Sequence, residues 1–452
     1  MIQQAVRLLL LRLVHLFYPR IEIQGRELVP SGRPTLFVLN HPNGLLDPLV
    51  LMIALRCRVS FLAKNTLFKV GAVRWLMRVF GALPIYRQSD AGAEGGDLSG
   101  HRAKNEQTFA RCRELLRILR PLALFPEGTT HSETTLLPLR TGAARIALSA
   151  EAEAGWQLGA QVVPVGLWYQ NKTLFRSAVL LVVGEPFAID GYREEYERDP
   201  EAAVDALTAE IARRLGLVVL QAENTELLNG IPVLARWTLG DGEPESLREE
   251  HLYTSLLMQA YLKLRESDPG QLATLAGRAR RYARTLRTLG IRDPWALELP
   301  SVGPWRLLSL ALLLALGLPW ALAGALLSYL PYRLAGVLTQ RIAAHDPPII
   351  GTVKLIAGSV LVFLGWIAAS VAVGVAAGAA WGLGLLALAP LLAYTALRWG
   401  ETAREVYDAF SASWVRIFHR SLSRQLIERR HDLADEIGDA VRLTLNLREL
   451  PA

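Results

Sequence analysis

Residues 35–56 read TLFVLNHPNGLLDPLVLMIALR: an apolar run, a turn holding His41, Pro42, Asn43, Gly44 and Asp47, and a second apolar run behind Pro48. TLFVLN has the length and composition of a strand. PLVLMIALR reads as a helix, for which Asp47 would serve as N-cap with Pro48 in the first turn. The alternation continues outward through GALPIYR, a polar helix around NEQTFARCRELLRIL, LALFPEG, a helix in TGAARIALSAEAEA, QVVPVGLWY and AVLLVVGEPFAI. Short apolar runs separated by helices predict a layered α/β domain with a largely parallel sheet.

His41 falls at the end of the first strand, where such folds place their sites. Imidazole can take a hydroxyl proton near neutral pH, and a carboxylate such as Asp47 can fix its tautomer and stabilise the imidazolium. The other reading of Asp47 is the helix cap alone. No G-x-S-x-G elbow occurs, which disfavours an acyl-enzyme route. No His/Cys/Asp/Glu cluster with metal-ligand spacing is visible, so neither a metal nor another cofactor is expected. Cys57 and Cys112 have no pairing pattern, and a reducing compartment is the simple reading.

An ordered set follows His41 and Asp47: Gly81-Ala82-Leu83-Pro84-Ile85-Tyr86-Arg87, then Phe125-Pro126-Glu127-Gly128-Thr129, then Val163-Pro164-Val165. This order resembles the four-block pattern of the phospholipid and glycerol acyltransferase family, over about residues 20 to 190. The resemblance implies His41 as base, Asp47 as its partner, and Arg87, Glu127, Gly128 and Thr129 at the acceptor. A guanidinium suits phosphate oxygens, and a glycine lets backbone N–H groups approach an anion.

Two features depart from the pattern. Five residues, Pro42 to Leu46, separate His41 from Asp47 where the family usually has four, and Gly44 offers a turn to absorb the extra one. The third block continues Thr130, His131, Ser132. With LPLRTGAARIAL at 137–148, these are similar to the branch containing fungal glycerol-3-phosphate and dihydroxyacetone-phosphate acyltransferases. That likeness adds Lys64 and Arg140 as phosphate contacts. It implies an acyl-CoA or acyl carrier protein donor, a glycerol-phosphate-type acceptor, and membrane lipid as surroundings. From another class, the chain could be an inactive transport or membrane-shaping subunit.

The 452 residues carry a net charge of +7 and are 51% hydrophobic, unevenly spread. Residues 307–330 and 355–397 hold no charge, enough for one span or a re-entrant hairpin broken at Pro319, then two spans turning near Gly378, Gly382 and Gly384. Basic residues in the loop at 331–354 and in the tail favour hairpins that keep both with the catalytic domain, on the cytoplasmic side. The expected layout is an amphipathic interfacial helix at 1–19, the acyltransferase domain at 20–216, a helical connector at 217–304, a membrane region at 305–398 and a helical tail at 399–452. The segment from Asp90 to Gly100 reads as a surface loop. The basic stretch at 277–287 reads as a solvated helix face, and no nucleic-acid partner is expected.

Overall fold

The computed structural model describes residues 2–69, 71–87, 98–239, 246–291, 294–298, 304–343 and 347–447. Two compact units emerge, Met1–Thr225 with Ile342–Leu355, and Glu226–Arg341 with Ile356–Ala452. The loop expected at 90–100 lies outside the described residues up to 97; from Leu98 the chain is helical.

The first unit is built on β1 (Arg20–Gln24), β2 (Thr35–Leu39), β3 (Ser60–Lys64), β4 (Ala82–Ile85), β5 (Leu122–Leu124), β6 (Gln161–Tyr169), β7 (Ala178–Val183) and β8 (Phe187–Ala188). The order across the sheet is β1-β7-β6-β2-β5-β3-β4, with β8 on β6. Strands β6, β2, β5, β3 and β4 run in one direction through four parallel pairings. Strand β7 lies antiparallel to β6, and β1 parallel to β7. The sheet is thus the largely parallel α/β layer that the alternating pattern predicts.

Every side chain of β2 is buried, and successive ones point to opposite faces. Phe37 and Leu39 join Leu49, Val50, Met77 and Phe17 on one face. These come from α1 (Ile2–Phe17), α2 (Leu46–Leu55) and α3 (Gly71–Val79). Leu36 and Val38 join Leu116, Ile146, Leu207 and Ile211 on the other. These belong to α4 (Leu98–Arg117), α5 (Gly142–Glu153) and α7 (Pro200–Val218), the short α6 (Arg193–Arg198) lying between the last two. Each fully buried aliphatic or aromatic side chain contributes about 1.5–3 kcal/mol, so two such clusters hold β2 rigid and fix where its end points.

The second unit is helical: α8 (Thr225–Thr238), α9 (Leu247–Ser267), α10 (Pro269–Thr288), α11 (Pro304–Ile342), α12 (Ile350–Ala377), whose first residues up to Leu355 belong to the first unit, α13 (Ala379–Phe418) and α14 (Arg420–Leu445). Within them Leu308–Ile342, Ile350–Ala377 and Ala379–Phe418 are long and apolar enough to cross a membrane. Helix α11 runs unbroken through Pro319 and Pro331, so the re-entrant break at Pro319 does not form. A proline inside an apolar helix is tolerated where neighbouring helices pack against it. The turn expected between two later spans is the single residue Gly378, with φ +104°.

Small residues let these helices touch backbone to backbone. A Cβ on Gly324 would lie 1.9 Å from the Leu392 carbonyl oxygen, and one on Gly382 would lie 2.5 Å from that of Ser370. The Trp399 indole donates to the Leu314 carbonyl at 2.8 Å. Leu314 meets Trp399 while Gly324 meets Leu392, so α11 and α13 are antiparallel. Leu312, Leu316, Leu326, Val375 and Trp381 face outward, as lipid-facing side chains do.

The tail helix α14 is amphipathic, burying Leu426, Arg430, Leu433, Ile437 and Val441. Arg430 donates to the Trp237 carbonyl at 2.9 Å and pairs with Glu298. The basic stretch in α10 buries Tyr282 and Leu286 and pairs Arg278 with Glu436.

Candidate active site

The shared direction of β6, β2, β5, β3 and β4 brings five strand ends to one edge. In sheet order they lead to Tyr169, His41, Glu127, Lys64 and Arg87. Sites on α/β sheets form at this carboxyl edge. The end of β2 is clamped by Asn40, whose amide donates to the Leu167 carbonyl at 3.1 Å and accepts from the Leu167 N–H at 2.7 Å.

His41 follows immediately. Its Nδ1 lies 2.8 Å from Asp47 Oδ2, and its ring stacks on Phe125 with centroids 4.1 Å apart. The Asp47 side chain is 0% exposed and His41 is 14% exposed. Asp47 Oδ2 also accepts from the Asn43 N–H at 2.9 Å, and Oδ1 accepts from the Tyr169 hydroxyl at 2.6 Å. An ionised carboxylate accepts only, so three converging donors suit it. With Nδ1–H given to Asp47, Nε2 is the ring nitrogen that carries the lone pair.

Helix α2 begins at Leu46, and Leu45 at its N-cap position makes no side-chain bond, so Asp47 does not cap the helix. It sits inside the first turn with its carboxylate turned back to His41 and to the Asn43 N–H. The five-residue spacing closes through Gly44, whose φ of +56° suits glycine. Two bonds then start the helix: Leu46 N–H to the Asn43 carbonyl at 3.2 Å and Asp47 N–H to the Gly44 carbonyl at 3.3 Å.

Glu127 faces inward. Its side chain is 0% exposed; Oε1 accepts from the His41 N–H at 3.0 Å, and Oε2 accepts from the Leu137 N–H at 2.9 Å and pairs with His131 Nε2. It thereby ties the His41 loop to the segment 131–137. Gly128 has φ +71°, and a Cβ there would come within 3.1 Å of Arg140 Cγ. Thr129 and the Arg140 side chain are exposed, while Lys64 and Arg87 are half-buried at the ends of β3 and β4. Asn105 holds the approach to Arg87, accepting from the Tyr86 N–H at 2.9 Å and donating to its carbonyl at 2.8 Å.

Several site residues escape a reading of the sequence. Burial, reinforced by the Asp47 charge, holds the Tyr169 hydroxyl well above its usual range, so it stays a donor. Tyr18 is likewise pushed up by burial; it donates to the Lys172 carbonyl at 2.6 Å and accepts from the Asn43 amide at 2.7 Å. Lys172 reaches Ser132 Oγ at 2.8 Å, its pKa drawn down by burial and partly restored by Asp47. The first turn of α12 closes on the same loop: Thr352 Oγ donates to the Asn43 carbonyl at 3.4 Å, and Lys354 to the Thr173 carbonyl at 2.7 Å. A Cβ on Gly351 would lie 2.6 Å from Asn43 Oδ1. Among the described residues no group of three or more His, Cys, Asp or Glu is placed to hold a metal.

Comparison with known proteins follows the same residues. The family model described as Acyltransferase matches residues 20–168. Glycerol-3-phosphate O-acyltransferase 2 of Saccharomyces cerevisiae is 35% identical over 133 residues, 29% of this chain and 18% of that protein. Human 1-acyl-sn-glycerol-3-phosphate acyltransferase alpha is 30% identical over 146 residues, 32% of this chain and 47% of that protein. The matched part spans less than half the length of each of these two relatives. The crystal structure of the 1-acyl-sn-glycerophosphate acyltransferase of Thermotoga maritima aligns at 18% identity over 48% of this chain and 80% of that one, with a TM-score of 0.32.

Proposed function

We propose, from a chain whose residues 20–168 form an acyltransferase-family domain, that it is a membrane-bound glycerolipid O-acyltransferase. The preferred acceptor is glycerol 3-phosphate or dihydroxyacetone phosphate, acylated in the first case at the sn-1 hydroxyl. The observation that carries the reading is the His41–Asp47 pair, closed at 2.8 Å despite its extra residue and set on the same sheet edge as Arg87.

In this reading His41 Nε2 takes the acceptor hydroxyl proton as that oxygen attacks the carbonyl of an acyl thioester. A C–O bond forms and a tetrahedral oxyanion appears. Its collapse breaks the C–S bond, and the leaving thiolate receives the proton held by His41. Asp47 keeps the imidazole in the required tautomer and stabilises it while charged. Arg87 and Lys64, at neighbouring strand ends, are the residues for the acceptor phosphate, and Arg140 with the Gly128–Thr129 turn is a further phosphate contact. Glu127 works through the loop, holding His41 by its backbone.

The donor proposed is acyl-CoA, with acyl carrier protein as the alternative. We propose the cytoplasmic side for the catalytic domain, a reading supported by the basic residues that flank the membrane segments. A second reading, acylation of 1-acylglycerol 3-phosphate, has support in the human relative's activity.

The test uses the purified full chain with labelled acyl-CoA and each acceptor in turn, measuring thiol release and identifying the product. Release with glycerol 3-phosphate supports the first reading and release only with the lysophospholipid the second. No release with any of the three acceptors overturns both.

A further inference from the structure

The sheet's opposite edge holds a feature that the acyl-transfer chemistry does not use. Arg58 precedes β3, Arg78 and Gly81 precede β4, and Arg120 precedes β5, so all sit at amino ends of strands whose carboxyl ends lead to Lys64, Arg87 and Glu127. With Arg7 of α1 they line an open cavity of about 710 Å³.

Among the described residues no carboxylate pairs with any of the four arginines. Arg120 Nε is buried without a hydrogen-bond partner. Burial and mutual repulsion, with Arg58 acting on both, draw Arg7 and Arg120 below the usual guanidinium range. The backbone fixes this convergence. The turn after α4 closes with the Arg120 N–H on the Leu115 carbonyl at 2.8 Å and Leu119 at φ +58°, a Schellman-type end. Gly81, at φ +76°, turns the chain into β4, and a Cβ there would lie 3.9 Å from Arg120 Nη2.

Three of the arginines stand at the carboxyl ends of α2, α3 and α4, which explains how the fold tolerates them. Each helix end offsets roughly half a charge. About one and a half of four positive charges are answered, and about two and a half are left. A phosphate monoester carries about −1.5 to −2 near neutral pH, which answers most of the remaining charge and suits the fork geometry of guanidinium groups. Ile2 and Val79 also line the cavity, and Ile2 is exposed, so apolar side chains adjoin the charge.

We propose that this cleft is a second anion site, one that binds a phosphate monoester, either free or as the headgroup of an acylated glycerol phosphate, at the edge of the sheet away from His41. It is separate from the acceptor site and independent of the acceptor's identity.

The test measures the unfolding midpoint of the full chain in neutral detergent against rising inorganic phosphate, dihexanoyl phosphatidate or dihexanoyl phosphatidylcholine. Three proteins are compared: wild type, Arg87→Ala, and the double variant Arg58→Glu with Arg78→Glu, whose side chains are exposed and whose change the fold should accept. A saturable rise is expected for wild type and Arg87→Ala with phosphatidate, weakened at least about tenfold in the double variant. An equal response to inorganic phosphate identifies free phosphate as the source, and a response to phosphatidate alone identifies the lipid headgroup. No saturable rise in wild type, binding undiminished in the double variant, binding lost in Arg87→Ala, or a match by phosphatidylcholine would overturn the proposal.

Discussion

The two edges of one parallel sheet treat charge in opposite ways. At the carboxyl edge Asp47 and Glu127 are fully buried, and their oxygens are taken by His41, Asn43, Tyr169, His131 and Leu137. At the amino edge four arginines surround a cavity with no carboxylate among the described residues. A buried carboxylate whose bonds are all met inside the protein holds other groups in place. A cluster of cations without counter-charge is set for an anion that arrives from outside. Glu127 shows how far environment decides this: the same side chain in an open pocket could have met the acceptor, but here it braces a loop.

The contrast predicts where substitutions hurt turnover. His41→Ala removes the proposed base and is expected to lower kcat about a thousandfold, measured as thiol release at saturating substrates. Next comes Asp47→Asn. It places an amide donor among three donors, so it should cost about 1–3 kcal/mol of stability as well as about a hundredfold in kcat. Near wild-type turnover in the folded variant would show that the pair does not act as one.

Arg87→Ala sharpens the comparison from the substrate side. Loss of a charge-assisted contact should raise the acceptor KM about tenfold or more and leave the donor KM little changed; equal effects on both substrates would refute its assignment to the acceptor. Gly351→Ala probes the loop from the start of α12. Its methyl would meet Asn43 Oδ1 at 2.6 Å and the Lys172 carbonyl at 3.0 Å, and the strain should cost about 1–3 kcal/mol with a several-fold fall in kcat. The smallest effect belongs to the amino edge: Arg58→Glu with Arg78→Glu should keep kcat within about twofold. A large loss there would mean that the two edges are not separate.

Much of this was legible along the chain. TLFVLN, LALFPEG and QVVPVGLWY became β2, β5 and β6 because uniform apolar runs of that length demand burial on both faces. His41 at a strand end was visible for the same reason. Tyr169 was not, since its role exists only because β6 pairs with β2 in parallel register, Leu39 beside Val165. The capping alternative for Asp47 stayed open in the sequence because an Asp-Pro step before a helix is visible locally, whereas the hydroxyl and imidazole that compete for its oxygens are not.

The sequence by itself determined the strands, the helices, the long apolar segments and the order of the His, Arg and Glu blocks, because these follow from local pattern and composition. Only the tertiary structure decided what each charged group does. Thr352 lies 309 positions from Asn43 and reaches its carbonyl; Arg7 and Arg120 share a cavity across more than a hundred residues of chain. Whether a side chain is buried, answered by a partner or left facing open space depends on which distant elements the sheet order brings together, and no local window of sequence contains that information.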